Sequence, residues 1–300
     1  MASLPGRGES TDFGVYWVLP DSVDRAGMSY LEGAEAISET DFDVLQQAWE
    51  SLRAGSGQIQ VLEEDSVGNR HDGFRERILA QLGRLLSRPA GRRLVLDLMY
   101  GAIRVRIIPA ADSAIGARTL PDSEDAFEQP TGAPGRGSSS TIEVAADLQD
   151  DDVQVLDQEG NLMDSPVFIS LGHELIHASH NAAGRNRRRT PFPPIEPSLH
   201  PYEAAPRGPR MIASPGERER QEYDDNLEER QTVEIENLLR EEHGLPRRLG
   251  HLGFYLGSAE GREEAARYTE MQRPEVERRA REVERRARLE ADLERLRELE

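Results

Sequence analysis

The sequence predicts an α+β protein in which a small twisted sheet packs on one long apolar helix and a charged helix follows at the C-terminal end. Three observations carry that prediction. Short segments near 57–64, 102–108 and 139–146 alternate or run apolar in the manner of strands. VFISLGHELIHASHNAA, from Val167, is apolar at helical spacing over more than four turns. The residues beyond 261 are dominated by Arg, Glu, Ala and Leu.

The elements follow in order. Residues 1–12 read as a flexible tail and GVYWVLP (14–20) as a short strand. Val44, Leu45, Ala48, Trp49 and Leu52 share one face of a helix over 41–54, which Gly55 stops. GQIQVLEE (57–64) reads as a strand, and Phe74, Ile78, Leu79, Leu82, Leu85 and Leu86 mark a second helix. Pro89 opens a third that ends near Gly101, and AIRVRII (102–108) alternates as a half-buried strand. Residues 109–139 are rich in Gly, Pro, Ser and Asp and read as a loop. SSTIEVAADL (139–148) is a further strand, and QDDDVQVLDQEGN (149–161) an acidic turn or hairpin. Ser165 and Pro166 suit the N-cap and first position of the apolar helix, and Gly184 suits its end.

The Arg-rich and Pro-rich stretch 185–217 reads as a long loop, and 218–242 as a helix closed by Gly244-Leu245-Pro246. Near the end, Val276, Ala280, Val283 and Ala287 are spaced four, three, four, but Glu290 breaks the heptad. This predicts a solvated or weakly pairing helix over 274–300, a candidate surface for a helical partner. The organisation expected is thus a tail (1–12), one domain (13–260) and a charged helical tail (261–300).

Composition narrows the function. A net charge of −19 argues against non-specific nucleic-acid binding. No run of 18 apolar residues is present, so no membrane insertion is expected. The first residues carry no apolar signal core, so a secreted chain would leave by a non-classical route. With no cysteine, any metal must be held by His and carboxylates. Lysine is absent too; GC-rich coding accounts for that, and so would avoidance of lysine modification in a host cell.

His173-Glu174-Leu175-Ile176-His177 fits HExxH. Four residues apart on a helix, the two imidazoles lie on one face and can share one zinc ion. Glu174 is offset around the helix and is placed to serve as general base on a water. Val167, Phe168, Leu171, Leu175 and Ile176 bury the rest of the helix, as a core helix requires. His180 lies about 10 Å along the axis from His173 at 1.5 Å per residue, too far to share the same ion, and reads as a surface residue or one that supports the ligands from behind. A third ligand must come from another element, and NLEERQTVEIEN (226–237) supplies candidates. Glu229 begins a Glu-x-x-Thr pattern of the kind that supplies the glutamate in HExxH-plus-Glu enzymes; Glu228 and Glu236 are its rivals.

At these residues the chain resembles the NleD-like effector metallopeptidases of bacteria. AGRRLVLDL with IRVRII, then GRGSSSTIEV, LGHELIHASH, LEERQTV and IENLLREEHGLPRR match the family's segments in order, over about residues 85–255. The resemblance implies a zincin-like metallopeptidase fold, one zinc ion, a protein or peptide substrate, and secretion or delivery into a target cell. A more distant likeness is to clostridial neurotoxin light chains, which pair an HELIH helix with a Glu-Glu-x-x-Thr segment. That comparison favours Glu229 as ligand. It also implies an Arg-x-x-Tyr pair that stabilises the oxyanion, for which this chain has Arg248 and His251. His in place of Tyr is a departure, as is Ile235 where the family tends to Thr; Tyr255 is a reserve donor. From His177 to Glu229 the gap is 52 residues, long for such an enzyme, and the Pro-rich stretch fills it.

The expectation is therefore a zinc endopeptidase with His173, His177 and Glu229 as ligands and Glu174, Arg248 and His251 as catalytic residues. The alternatives are a cytoplasmic protease acting on a repressor and a non-catalytic binding module with a vestigial zinc site.

Overall fold

The computed structural model describes residues 39–112, 114–187 and 227–272, together with 278 and 285. The expected tail 1–12, the strand 14–20, most of the loop 185–217, the start of the helix at 218–226 and nearly all of the tail helix 274–300 lie outside the described residues.

Three helices, α1 (Glu39–Ala54), α2 (Phe74–Leu86) and α3 (Pro89–Tyr100), form at the predicted places. Strands β1 (Ile59–Val61), β2 (Val105–Pro109) and β4 (Ser140–Val144) also arise where expected and pair in parallel. The stretch read as loop holds an unexpected strand, β3 (Ala117–Pro121), which pairs antiparallel with β4. The four-stranded order is β1-β2-β4-β3, so β3 is an edge. ARTLP carries no clear strand pattern because its half-buried positions are Ala117, Thr119 and Pro121, while Leu120 faces outward.

The acidic segment does form a hairpin, β5 (Val153–Asp157) with β6 (Leu162–Asp164). Helix α4 (Val167–Ala182) carries the HExxH motif, and α5 (Leu227–Glu242) follows. Strand β7 (Arg248–Tyr255) pairs antiparallel with β5, giving a second sheet β6-β5-β7. Its two glycines and its Arg and His hid it from a sequence reading. Residues 259–272 are helical. Among the described residues no helix is long and apolar enough to cross a membrane.

The cap of α4 differs from expectation. Pro166, not Ser165, is the N-cap residue, and Asp150 Oδ1 accepts from Val167 N at 2.9 Å. Ser165 is buried and its hydroxyl accepts from Arg240 at 2.7 Å. An orphan N–H at a helix start needs an acceptor, and a distant carboxylate supplies it as well as a local hydroxyl. At the other end Gly184 takes a φ of 63°, as a C-terminal stop requires.

The main core joins α1–α4 to the inner face of the first sheet through Trp49, Leu82, Leu85, Ile107, Ile142 and Leu175. A smaller cluster, Leu156, Leu252, Phe254, Ala265 and Tyr268, binds the second sheet to the helix 259–272. Helix α4 lies between α5 and the β3–β4 edge. Its Gly172 matters here: a Cβ would come within 2.8 Å of Leu239 Cδ1, so glycine lets α5 approach closely.

Candidate metal centre

Helix α4 turns His173 and His177 to the same side, with ring centroids 4.8 Å apart and edge to face. Their Nε2 atoms lie 3.2 Å apart. Each Nδ1 meets a carboxylate of α5: His173 with Glu236 Oε2 at 2.9 Å, His177 with Glu228 Oε1 at 2.8 Å. An ionised carboxylate only accepts, so each Nδ1 carries a proton, and a neutral ring then presents a lone pair at Nε2. Glu229 Oε2 completes the group, 3.6 Å from His173 Nε2 and 3.3 Å from His177 Nε2.

Three electron-rich atoms facing one another need positive charge between them. Tetrahedral zinc with bonds of about 2.0–2.2 Å sets its ligand atoms about 3.3–3.6 Å apart, close to the spacing found. His173, His177 and Glu229 are the group among the described residues whose donor atoms lie within 4.8 Å of one another. Charge agrees: Glu174, Glu228, Glu229 and Glu236 against Arg240 and Arg248 leave two negative charges, which protons on the histidines or a divalent cation would balance. The donor set thus fits a divalent cation.

The directions in which these groups shift reflect the same demand for positive charge. Burial alone would lower the His173 pKa, but hydrogen bonds to Glu229 and Glu236 outweigh it and the net shift is upward. For His177 burial is again outweighed, by Glu228 and Glu229, and the pKa lies well above the usual value. Burial would raise Glu229, Glu228 and Glu236, yet all three are lowered, Glu228 to about 2. Hydrogen bonds from His173 and His177 hold Glu229 down, those from His177 and His180 hold Glu228, and the Arg248 charge leads for Glu236.

The remaining predicted residues surround this group. His180 does not face it; its Nδ1 shares Glu228 Oε1 at 2.7 Å. The backbone N–H of Arg187 donates to the same carboxylate at 3.0 Å. Glu174 is buried, and its Oε2 accepts from Thr119 Oγ1 at 2.7 Å. His251 brings Nε2 within 3.1 Å of Glu229 Oε2, and its ring centre is 5.7 Å from that of His173. Burial first, then the Arg248 charge, push its pKa down to about 3 despite Glu229. Arg248 is less free than expected: one arm binds Glu236 Oε2 at 2.8 Å and the other the His251 carbonyl. Both residues lie in the first half of β7. A cleft of about 170 Å³ runs beside the centre, lined by His173, Glu174, Arg248, His251, Gly116 and Tyr255 among others.

Sequence reasoning placed Glu228 and Glu236 as rivals for one position, whereas the structure sets them on the far nitrogens of the two histidines. Their signal was a polar stripe, Glu228, Thr232, Glu236 and Arg240, four apart along a helix and all buried. Thr119 was missed entirely because its strand was.

The fold and the centre define an α+β protein of HExxH type with a two-His, one-Glu site beside a cleft. The family described as Peptidase_M91, effector protein, matches residues 63–250, and the chain belongs to this NleD-like peptidase family. No curated protein matches the chain.

Proposed function

We propose that the protein is a zinc-dependent endopeptidase with a zincin-like fold, delivered into a target cell to cleave a protein substrate. The observation that carries this is the convergence of His173 Nε2, His177 Nε2 and Glu229 Oε2 beside Glu174 in a cleft. On this reading His173, His177 and Glu229 would hold one zinc ion, three protein ligands being the number that catalytic zinc sites use. When bound, zinc supplies Lewis acidity that polarises a carbonyl and lowers the pKa of water.

The chain's own residues do the rest. Glu174 takes the proton of the attacking water and passes it to the leaving amine. Glu228 and Glu236 keep the Nδ1 protons in place, so both imidazoles present Nε2. Neutral His251 donates from Nε2, either to Glu229 or to the oxyanion as it forms. Arg248 holds the His251 carbonyl, lines the cleft and adds positive charge. Tyr255 stays in reserve further along the strand.

Membership in an effector family favours delivery to a target cell over a repressor-cleaving role in the cytoplasm. The Nδ1 partners of both histidines favour a working site over a vestigial one. The test is zinc content together with proteome-wide cleavage-site profiling of wild type against Glu174→Gln. One zinc per chain in both, with cleavage lost in the variant, is expected; full cleavage by the variant refutes the reading.

A further inference from the structure

The geometry points to Thr119 as a positioning residue that sets the carboxylate of Glu174 for proton transfer. The inference rests on the role proposed above for Glu174. Along β3, Ala117, Thr119 and Pro121 are half-buried, while Arg118 and Leu120 are exposed. Because side chains alternate across a strand, Thr119 is on the face that meets α4. Its Oγ1 lies 2.7 Å from Glu174 Oε2 and 2.9 Å from the backbone oxygen of the same residue.

A hydroxyl has one proton to donate. The carboxylate takes it, since a bond to an anion is roughly twice as strong as one to a neutral carbonyl. The hydroxyl therefore ties the far end of one flexible side chain to the sheet edge and restricts its torsions. Thr119 is the hydrogen-bond partner of this carboxylate among the described residues, and it leaves Oε1 without one. The anchor comes from the sheet edge, so the base is registered to β3 as well as to its own helix. Threonine suits the task, because β-branching restricts χ1 and aims the hydroxyl. A threonine that merely ties strand to helix would bond the carbonyl and make no difference to catalysis.

The two roles separate on Thr119→Val, which keeps shape and loses the hydroxyl, and Thr119→Ser, which keeps the hydroxyl. The full chain, loaded with zinc, is assayed on the best-cleaved member of a proteome-derived peptide library. Thr119→Val is expected to lower kcat about 10- to 100-fold at unchanged KM, the scale of loss when a reacting group is misplaced by about 1 Å. Zinc content should not change, and Thr119→Ser should restore kcat. In a crystal of Thr119→Val the Glu174 carboxylate should leave its position or divide between rotamers. Added to Glu174→Gln, the Val change should cause no further loss. If Val prevents folding, Thr119→Ala removes the same hydroxyl. Undiminished kcat in a hydroxyl-free variant, with Glu174→Gln inactive, overturns the role of Thr119 alone. A loss that Ser does not restore overturns it too. Full activity in Glu174→Gln instead removes the reading of Glu174 on which it stands.

Discussion

Glu236 grips His173 from behind: its Oε2 lies 2.9 Å from His173 Nδ1, and the same fully buried carboxylate binds Arg240 at 2.6 Å and Arg248 at 2.8 Å. One side chain thereby joins a candidate metal ligand to the next turn of α5 and to the start of β7. Glu236→Gln removes the charge that both guanidiniums face. Breaking a buried pair by removing one partner costs about 3–5 kcal/mol. Removing such a partner of a ligand histidine weakens metal binding about 10- to 100-fold. Denaturant melts and competition with a chromogenic chelator measure the two effects. Equal zinc affinity in variant and wild type would show that Glu236 serves only the fold.

On the proposed reading zinc should stabilise the folded chain, because its candidate ligands come from α4 and α5, which meet only on folding. At a thousandfold excess over its Kd a ligand adds about 4 kcal/mol. A chelator should therefore lower Tm by several degrees, and added zinc should restore it. Glu229→Gln should reduce that zinc-dependent gain sharply, while Glu128→Gln, at an ion pair with Arg187, should leave it whole. A zinc response in Glu229→Gln as large as in wild type would assign the third ligand elsewhere.

His251 stands where the Arg-x-x-Tyr pattern of the sequence reading expects a tyrosine, and its Nε2 faces the centre. His251→Phe should reduce kcat about 100- to 1,000-fold, the range for loss of one oxyanion donor, with zinc content unchanged. His251→Tyr should keep a substantial part of the activity, since it also presents a hydrogen-bond donor. Steady-state kinetics on one peptide decides between them. Loss of zinc in the Phe variant would instead make His251 a holder of Glu229.

His243, just past α5, is held neutral: burial, then the charges of Arg88 and Arg84, lower its pKa to about 3. Its ring packs 4.6 Å from that of Phe168. Between an unfolded pKa of about 6.5 and the folded value, the unfolded chain binds the extra proton. Stability therefore falls as pH drops from neutrality towards 3. His243→Leu cannot take up that proton, so its Tm should fall less than that of wild type between pH 7 and 5. Parallel Tm curves for the two proteins would remove His243 as the cause.

Helices α2, α3 and α4 and strands β1, β2 and β4 were legible because their apolar residues repeat at the period of the element. Strand β3 was not, since an edge strand buries only one side of ARTLP and its neighbours read as loop. Strand β7 was not, because pairing with β5, far away in the chain, makes a strand of RLGHLGFY. The cap of α4 was misassigned for a similar reason: the acceptor, Asp150, is not the adjacent Ser165.

By itself the sequence determined the pairing of His173 with His177 and the offset of Glu174, because residues four apart on a helix share a face whatever surrounds them. Which carboxylate meets which nitrogen was decided only by the tertiary structure. The Glu-x-x-Thr pattern singled out Glu229, but nothing local assigned Glu228 and Glu236, little more than two turns apart on the same helix, to the far nitrogens. The rotation of α5 and its close approach at Gly172 turn Glu229 to the Nε2 side and the other two to Nδ1. That difference lies in the packing of two helices whose key residues are more than fifty positions apart, beyond the reach of any local pattern.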